Sequence, residues 1–304
     1  MGVGLAALCA LSASASAEAP KFEYAKNEKT DAEGKLSATK TAPVWKASAQ
    51  AGLLLTTGNA SNTTVSSGFR ASRKAGKNKL QLDLAGAFAR STIYLAVDEN
   101  ASGTIEENEL NRITKTTSQS WLAKARYDRF LSVSNALYTS ASLSADEPAG
   151  RILIGSGQVG YSRTLVDNKV HQIVLESGYD FSYEDRSGSD QSLSIHSWRI
   201  FAGYQGKLNK ETSLEISTES LFNINTLETS AGPVAPFDDT RFNNQVSLTT
   251  NIYGDVNFRF SFQSRFDNNP APRPNLELPY DAGFGPLADK LDTRTEAAIL
   301  VNFL

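Results

Sequence analysis

An all-β, up-and-down antiparallel transmembrane β-barrel of about twelve strands, with short turns at one end and long loops at the other, is the fold this 304-residue sequence predicts. Three observations carry that prediction. From Trp45 onward the chain divides into segments of roughly 11 to 16 residues in which apolar and polar side chains alternate, the period of a strand with two unlike faces. The connections between those segments alternate between tight turns and generally longer loops. No internal apolar run approaches the ~18 residues that a membrane-spanning helix requires, which leaves strands as the means of crossing a bilayer.

The chain opens with an apolar stretch from Val3 to Leu11, followed by Ala15, Ser16 and Ala17 before Glu18. That is the small-x-small pattern of a signal-peptidase site, although no Lys or Arg precedes it, so residues 1–17 read as a signal peptide. Cys9 is the sole cysteine, and Leu8 before it spoils a lipoprotein-type cleavage site. The mature chain is then expected to carry no thiol and no disulfide. Residues 18–44 are rich in Lys, Ala, Thr and Glu without a sustained apolar period, and read as a flexible periplasmic leader.

Twelve alternating segments follow, near 45–57, 61–74, 78–93, 117–131, 136–146, 152–166, 169–184, 192–207, 211–225, 241–253, 255–267 and 291–304, making residues 45–304 the barrel domain. The clearest is DVNFRFSFQSRF, where Val256, Phe258, Phe260, Phe262 and Phe266 point one way and Asn257, Arg259, Ser261, Gln263 and Arg265 the other. Leu80, Leu82, Leu84 and Phe88 oppose Gln81 and Asp83 in the same manner, as do Leu214, Ile216, Phe222 and Ile224 against Glu215, Glu219 and Asn223.

Tight turns (AGKN, SVSN, VDNK, LNK, YGD) alternate with connections that include the long loops 94–116, 226–240 and 268–290. An even strand number with both termini periplasmic puts every tight turn in the periplasm and every longer loop outside. Aromatic residues gather at the expected strand ends, as in the two girdles of a membrane barrel. Trp45, Tyr138, Tyr161, Tyr253 and Phe303 fall near the periplasmic rim, and Tyr94, Trp121, Tyr183, Phe242 and Phe266 near the outer one. The last segment ends with Ile299, Val301 and Phe303 on one face, resembling the C-terminal signal by which the outer-membrane assembly machinery recognises barrels, with the aromatic penultimate rather than last. A soluble sandwich or lipocalin-like barrel would alternate as well but would turn its apolar face inward.

Trp45, then Thr57, Gly58 and Asn59 after eleven intervening residues, followed by repeated amphipathic hairpins to the C-terminus, resembles the family of salt-induced outer-membrane proteins, a group without an assigned biochemical function. The resemblance implies an outer-membrane barrel with a link to salt or osmotic stress, and it supplies no catalytic residues.

The longest outer loop holds DENASGTIEENEL, which looks like an EF-hand calcium loop. Asp98, Asn100, Ser102, Thr104, Glu106 and Glu109 occupy the ligand positions 1, 3, 5, 7, 9 and 12, with Gly103 at the sharp turn. The chemistry calls for this order because oxygen ligands must converge on a hard cation and the last Glu can bind it with both oxygens. Leu110 reads as the first apolar residue of an exiting helix. The segment before the loop reads as a strand instead of a helix, and no second loop of the kind appears, so an acidic solvated loop is the competing reading. The expected Ca²⁺ affinity is on the order of 10⁻⁴ to 10⁻³ M, that of extracellular modules.

A barrel lipase needs a Ser and a His within hydrogen-bond reach. The two histidines, His171 and His196, lie at opposite strand ends, roughly 30 Å apart at the usual rise, and both share the parity of the apolar face. A barrel protease using carboxylates lacks a distinctive pair, so no enzyme is expected. The small net charge of −3, with Lys and Arg scattered, excludes a nucleic-acid footprint.

The inner face carries more information. Glu176, Asp180, Glu211, Glu215 and Glu219 are expected to line one wall, and Arg259, Arg265, Arg294, Lys46 and Arg70 the opposite one, giving a transverse field across an open channel. The same residues, with Lys124, Arg126 and Asp128, would instead close a narrow lumen by pairing across it. The sequence therefore predicts a monomeric bacterial outer-membrane barrel of structural or salt-stress-related role, with a lipid bilayer and lipopolysaccharide as its surroundings. A passive channel for small polar solutes is the alternative.

Overall fold

The computed structural model describes residues 43–56, 61–96, 110–147, 150–168, 170–186, 192–229, 232–270 and 290–302. Twelve strands close into one antiparallel barrel: β1 (Val44–Thr56), β2 (Ser61–Ala75), β3 (Asn78–Ala96), β4 (Leu110–Phe130), β5 (Asn135–Asp146), β6 (Arg151–Asp167), β7 (His171–Arg186), β8 (Leu193–Lys207), β9 (Thr212–Asn223), β12 (Thr240–Tyr253), β13 (Val256–Asp267) and β14 (Leu291–Asn302). A short hairpin, β10 (Leu227–Thr229) with β11 (Gly232–Val234), stands between β9 and β12. Every barrel strand pairs with its chain neighbours, except that β9 passes over the hairpin to β12 and β1 closes the ring on β14.

The two faces of the wall are inverted relative to a soluble protein. In β13, Arg259, Ser261 and Gln263 are buried while Phe258, Phe260 and Phe262 are 37 to 46 % exposed. Gln81 and Asp83 of β3 are likewise buried while Leu80, Leu82 and Leu84 face outward. Apolar surface of this extent is unfavourable in water and favourable in hydrocarbon. That settles which face is outside: the barrel is a transmembrane one, and the soluble sandwich or lipocalin is overturned.

Turn chemistry fixes the register at one end. Gly76 and Gly254 take φ of +55° and +53° in the two-residue turns β2–β3 and β12–β13, a conformation that costs glycine little. In the β6–β7 and β8–β9 turns, the side-chain oxygens of Asn168 and Asn209 accept hydrogen bonds from the backbone N–H of His171 at 2.7 Å and Thr212 at 2.6 Å.

The predicted segments recur with shifts of a few residues, with two larger departures. β3 runs on to Ala96 and β4 begins at Leu110, so residues taken as loop are paired strand. Thr92, Ile93, Ile113, Thr114 and Thr116 are β-branched and favour the extended ladder, and the hydroxyls of Thr92 and Thr114 join at 2.9 Å. Leu110 consequently opens a strand, which corrects the expected exiting helix. The β10–β11 hairpin lies in what the sequence suggested was plain loop.

Aromatic rings form a row on the outer surface near the loop end: Trp198, Phe222, Phe242 and Phe266 follow one another at centroid spacings of 6.1 to 6.2 Å. Trp121 and Tyr183 are exposed, as are Trp45, Tyr161 and Tyr253. Tyr138 is a correction: it is buried in the lumen, because Leu137 and Thr139 take the outward parity of β5. Phe303 and the side chain of Tyr94 lie outside the described residues.

Candidate functional site

Alternation sends half of each strand into the lumen, so the polar halves of twelve strands converge there. At mid-height the convergence is ionic. Arg126 of β4 donates from Nε to Asp128 Oδ1 at 2.9 Å and grips Glu176 of β7 with both terminal nitrogens, Nη2 to Oε1 at 2.6 Å and Nη1 to Oε2 at 3.1 Å. Two strands, β5 and β6, separate the partners in the ring, so this fork crosses the lumen.

Arg199 of β8 completes the layer, donating from Nη1 to Glu176 Oε2 at 2.9 Å and Tyr138 Oη at 2.8 Å, and from Nε to Glu219 Oε1 of β9 at 2.5 Å. The Arg126 guanidinium lies 4.4 Å from the centroid of the Tyr138 ring. Gly160 and Gly178 make room for that ring: a Cβ at Gly160 would sit 2.6 Å from Tyr138 Oη, and one at Gly178 2.8 Å from it. Arg199 is 0 % exposed and Arg126 4 %, so both guanidinium groups are buried.

A second layer lies at the loop end. Arg151 at the start of β6 donates to Asp267 of β13 at 2.7 Å, across four intervening strands. Arg241 of β12 pairs with Glu184 of β7, with Asp239 at 3.1 Å, and at 3.7 Å with Asp267, while Arg186 donates to Glu184 at 2.8 Å. Asp239 is brought here by the chain between β9 and β12. Asn223, fully buried, donates to the carbonyls of Asn225 and Ala235 and accepts from the N–H of Asp239 at 2.9 Å. Leu227 of the hairpin packs on Leu193 and Ile195, which share the inward parity of Ser197 and Arg199, so the hairpin folds in against the lumen wall.

Between the two layers lies a polar cavity of about 170 Å³, lined by residues of both including Glu219, Arg241 and Asp267, and by Lys124, Asp180 and Arg265. Elsewhere on the wall Arg70 pairs with Asp83 at 2.5 Å, Arg294 with Glu296 at 3.0 Å and Arg259 with Glu215 at 3.7 Å.

Glu176, Asp180, Glu215, Glu219, Arg70, Arg259, Arg265 and Arg294 thus all sit on the inner face. Glu211 does not: it is exposed in the β8–β9 turn. Nor are the walls separated by sign, since Arg199 stands between Glu176 and Glu219 and pairs with both. Arg151, Glu184, Arg186, Arg199, Asp239, Arg241 and Asp267 belong to the layers as well; those on strands share the inward parity, which is the signal that marks them. Both histidines are on the outer surface, His171 Nδ1 with Tyr204 Oη at 2.9 Å and His196 Nδ1 with Tyr179 Oη at 2.5 Å. The candidate calcium ligands Asp98, Asn100, Ser102, Thr104, Glu106 and Glu109 lie outside the described residues.

A family model described as "Protein of unknown function, DUF481" matches residues 49–303. Among solved structures the chain is similar to the COG4313 outer membrane channel from Pseudomonas putida F1, at 12 % identity and a TM-score of 0.44, covering 91 % of this chain and 100 % of that one. It is also similar to the translocator domain of the autotransporter NalP from Neisseria meningitidis (13 %, 0.39, 88 % and 90 %) and to the NanC porin (9 %, 0.41, 84 % and 97 %). No curated protein matches the chain.

Proposed function

The chain belongs to the DUF481 family of proteins of unknown function, so we propose its role from its own geometry: it is a bacterial outer-membrane barrel held closed at rest by ion pairs, a structural surface protein rather than an open pore. One observation carries this reading. Arg126, Glu176 and Arg199 meet, buried, in the middle of the lumen, and the loop-end layer crosses it a second time. Buried ions of this kind are tolerable only when paired, so the layers hold together or fail together. Tight turns and both termini of the barrel chain face the periplasm in this reading, the long loops face outward among lipopolysaccharide, and the protein acts as a monomer. The salt-stress role rests on the family resemblance alone.

Swelling of vesicles carrying the refolded protein tests closure. Small sugars such as arabinose are expected to enter no faster than into protein-free vesicles; entry at porin-like rates overturns the proposal. The polar cavity between the layers favours the alternative of a gated passage for small polar solutes, and in that case swelling appears only under a condition that breaks the layers.

Calcium binding by residues 98–109 belongs to the same proposal, supported by the spacing of Asp98, Asn100, Ser102, Thr104, Glu106 and Glu109. Calorimetry of the purified protein is expected to show a calcium heat, with a dissociation constant on the order of 10⁻⁴ to 10⁻³ M, that Glu109→Ala abolishes. A heat that the substitution leaves intact, or no heat, refutes it.

A further inference from the structure

At the turn end of the barrel the outward face of three alternate strands carries an arginine: Arg73 on β2, Arg129 on β4 and Arg163 on β6, all exposed. Opposite them in register stand Trp45, Asn78 and Asn135 on one side and Leu80, Leu137 and Leu175 on the other, so no carboxylate faces any of the three across the ladder. None of them forms an ion pair among the described residues. Each step of two strands moves the arginine two residues along the ladder toward the turns, the stagger of tilted strands, which places the three at about one height and on the order of 10 Å apart. Two of them are held in place. Arg129 donates from Nη1 to Asn78 Oδ1 at 2.7 Å, an oxygen that also accepts from Tyr127 Oη at 2.7 Å, and the Arg73 guanidinium lies 5.7 Å from the centroid of the Trp45 ring. The opposite wall differs: β12, six places from β4 in the ring, ends in the exposed Ile252 and Tyr253, followed by Asp255 in the turn.

Trp45, Tyr127 and Tyr161 are exposed beside these arginines, and amphipathic rings of this kind sit at the headgroup level of a bilayer. The arc therefore meets the polar surface of the leaflet at the turn end. We infer that Arg73, Arg129 and Arg163 form a docking site for anionic phospholipid, each guanidinium taking a headgroup phosphate. A guanidinium offers phosphate two parallel hydrogen bonds, and its long apolar stem lets it reach the interface from the lipid face of the wall. The whole chain carries a net charge of −3, so attraction for anionic lipid belongs to this arc and not to the overall charge. In the topology proposed above the arc lies in the periplasmic leaflet; the docking itself requires only that the turn end meet a headgroup layer, and it is independent of whether the lumen is closed.

Trp45, beside Arg73, reports on the site. The test places the refolded full chain, with Trp121→Phe and Trp198→Phe leaving Trp45 as the single tryptophan, in phosphatidylcholine vesicles of increasing phosphatidylglycerol content, with brominated acyl chains on one lipid or the other. Quenching of Trp45 is expected to show phosphatidylglycerol preferred over phosphatidylcholine by at least about fivefold, the margin that one arginine near a charged surface provides. Arg73→Gln, Arg129→Gln and Arg163→Gln together should bring the preference near one, and lysine at the three positions should retain part of it. Each single Gln substitution should lower the preference, which carries the test if the triple variant fails to fold. A reporter on the opposite wall, Tyr253→Trp with Trp45→Phe added, should show no preference. Heat-modifiable gel mobility verifies that each variant is folded. Equal quenching of Trp45 by the two lipids, the same preference at position 253, or a preference that survives the loss of the arginines overturns the inference.

Discussion

Replacing Glu176 by Gln is expected to destabilise the barrel by about 3–5 kcal/mol and to open a current through it. The size of the effect follows from what Glu176 holds: its two oxygens take three hydrogen bonds from Arg126 and Arg199, guanidinium groups that are 4 % and 0 % exposed. Glutamine keeps the volume and removes the charge, leaving both buried cations with one counter-ion fewer. Arg126 retains Asp128 and Arg199 retains Glu219, so the strands still close, but the fork across the lumen is lost. Water must then enter to solvate the cations, and the current it carries is expected to favour anions. Urea titration in lipid vesicles measures the loss of stability, and reversal potential in a salt gradient measures the selectivity. A Glu176→Gln protein as stable and as silent as the wild type would mean that the mid-height layer does not hold the lumen shut.

Phe260→Arg is expected to cost about 2–4 kcal/mol and to cut the yield of inserted barrel, because it places a cation near mid-membrane on the lipid face. Phe260 stands halfway along β13, 46 % exposed, between the buried Arg259 and Ser261. The same change at Tyr253, exposed at the turn end of β12, should cost about 0–1 kcal/mol, since an arginine there reaches the interface. A soluble barrel would show the opposite order of merit, with Phe260→Arg improving its behaviour in water. Unfolding from vesicles distinguishes the two outcomes, and equal costs at both positions would argue against a bilayer around the wall.

Much of this wall is legible in the sequence because a barrel strand writes both of its faces every two residues. Phe258, Phe260 and Phe262 against Arg259, Ser261 and Gln263 announce a strand, its period and its polar side, and Gly76 and Gly254 announce its turns. Parity outranks position along the chain: Tyr138 sits near a strand end, yet its neighbours Leu137 and Thr139 take the outward face and send it into the lumen. Hairpins that outrun the membrane are harder to see, since Thr92 and Ile113 alternate too weakly to separate strand from loop. Least legible are the partners. Arg126 and Glu176 are 50 residues apart and Arg151 and Asp267 are 116 apart, so their meeting depends on strand order and stagger around a closed ring. Local pattern places each residue on the inner face; only closure says which charge it meets there.

The measurement that bears most directly on closure is the conductance of the refolded wild-type protein in planar bilayers, at fixed ionic strength and with insertion verified by heat-modifiable mobility. A barrel sealed by Arg126, Glu176 and Arg199 passes no stable unitary current under conditions where Glu176→Gln does. Stable open steps from the unmodified protein would contradict the seal.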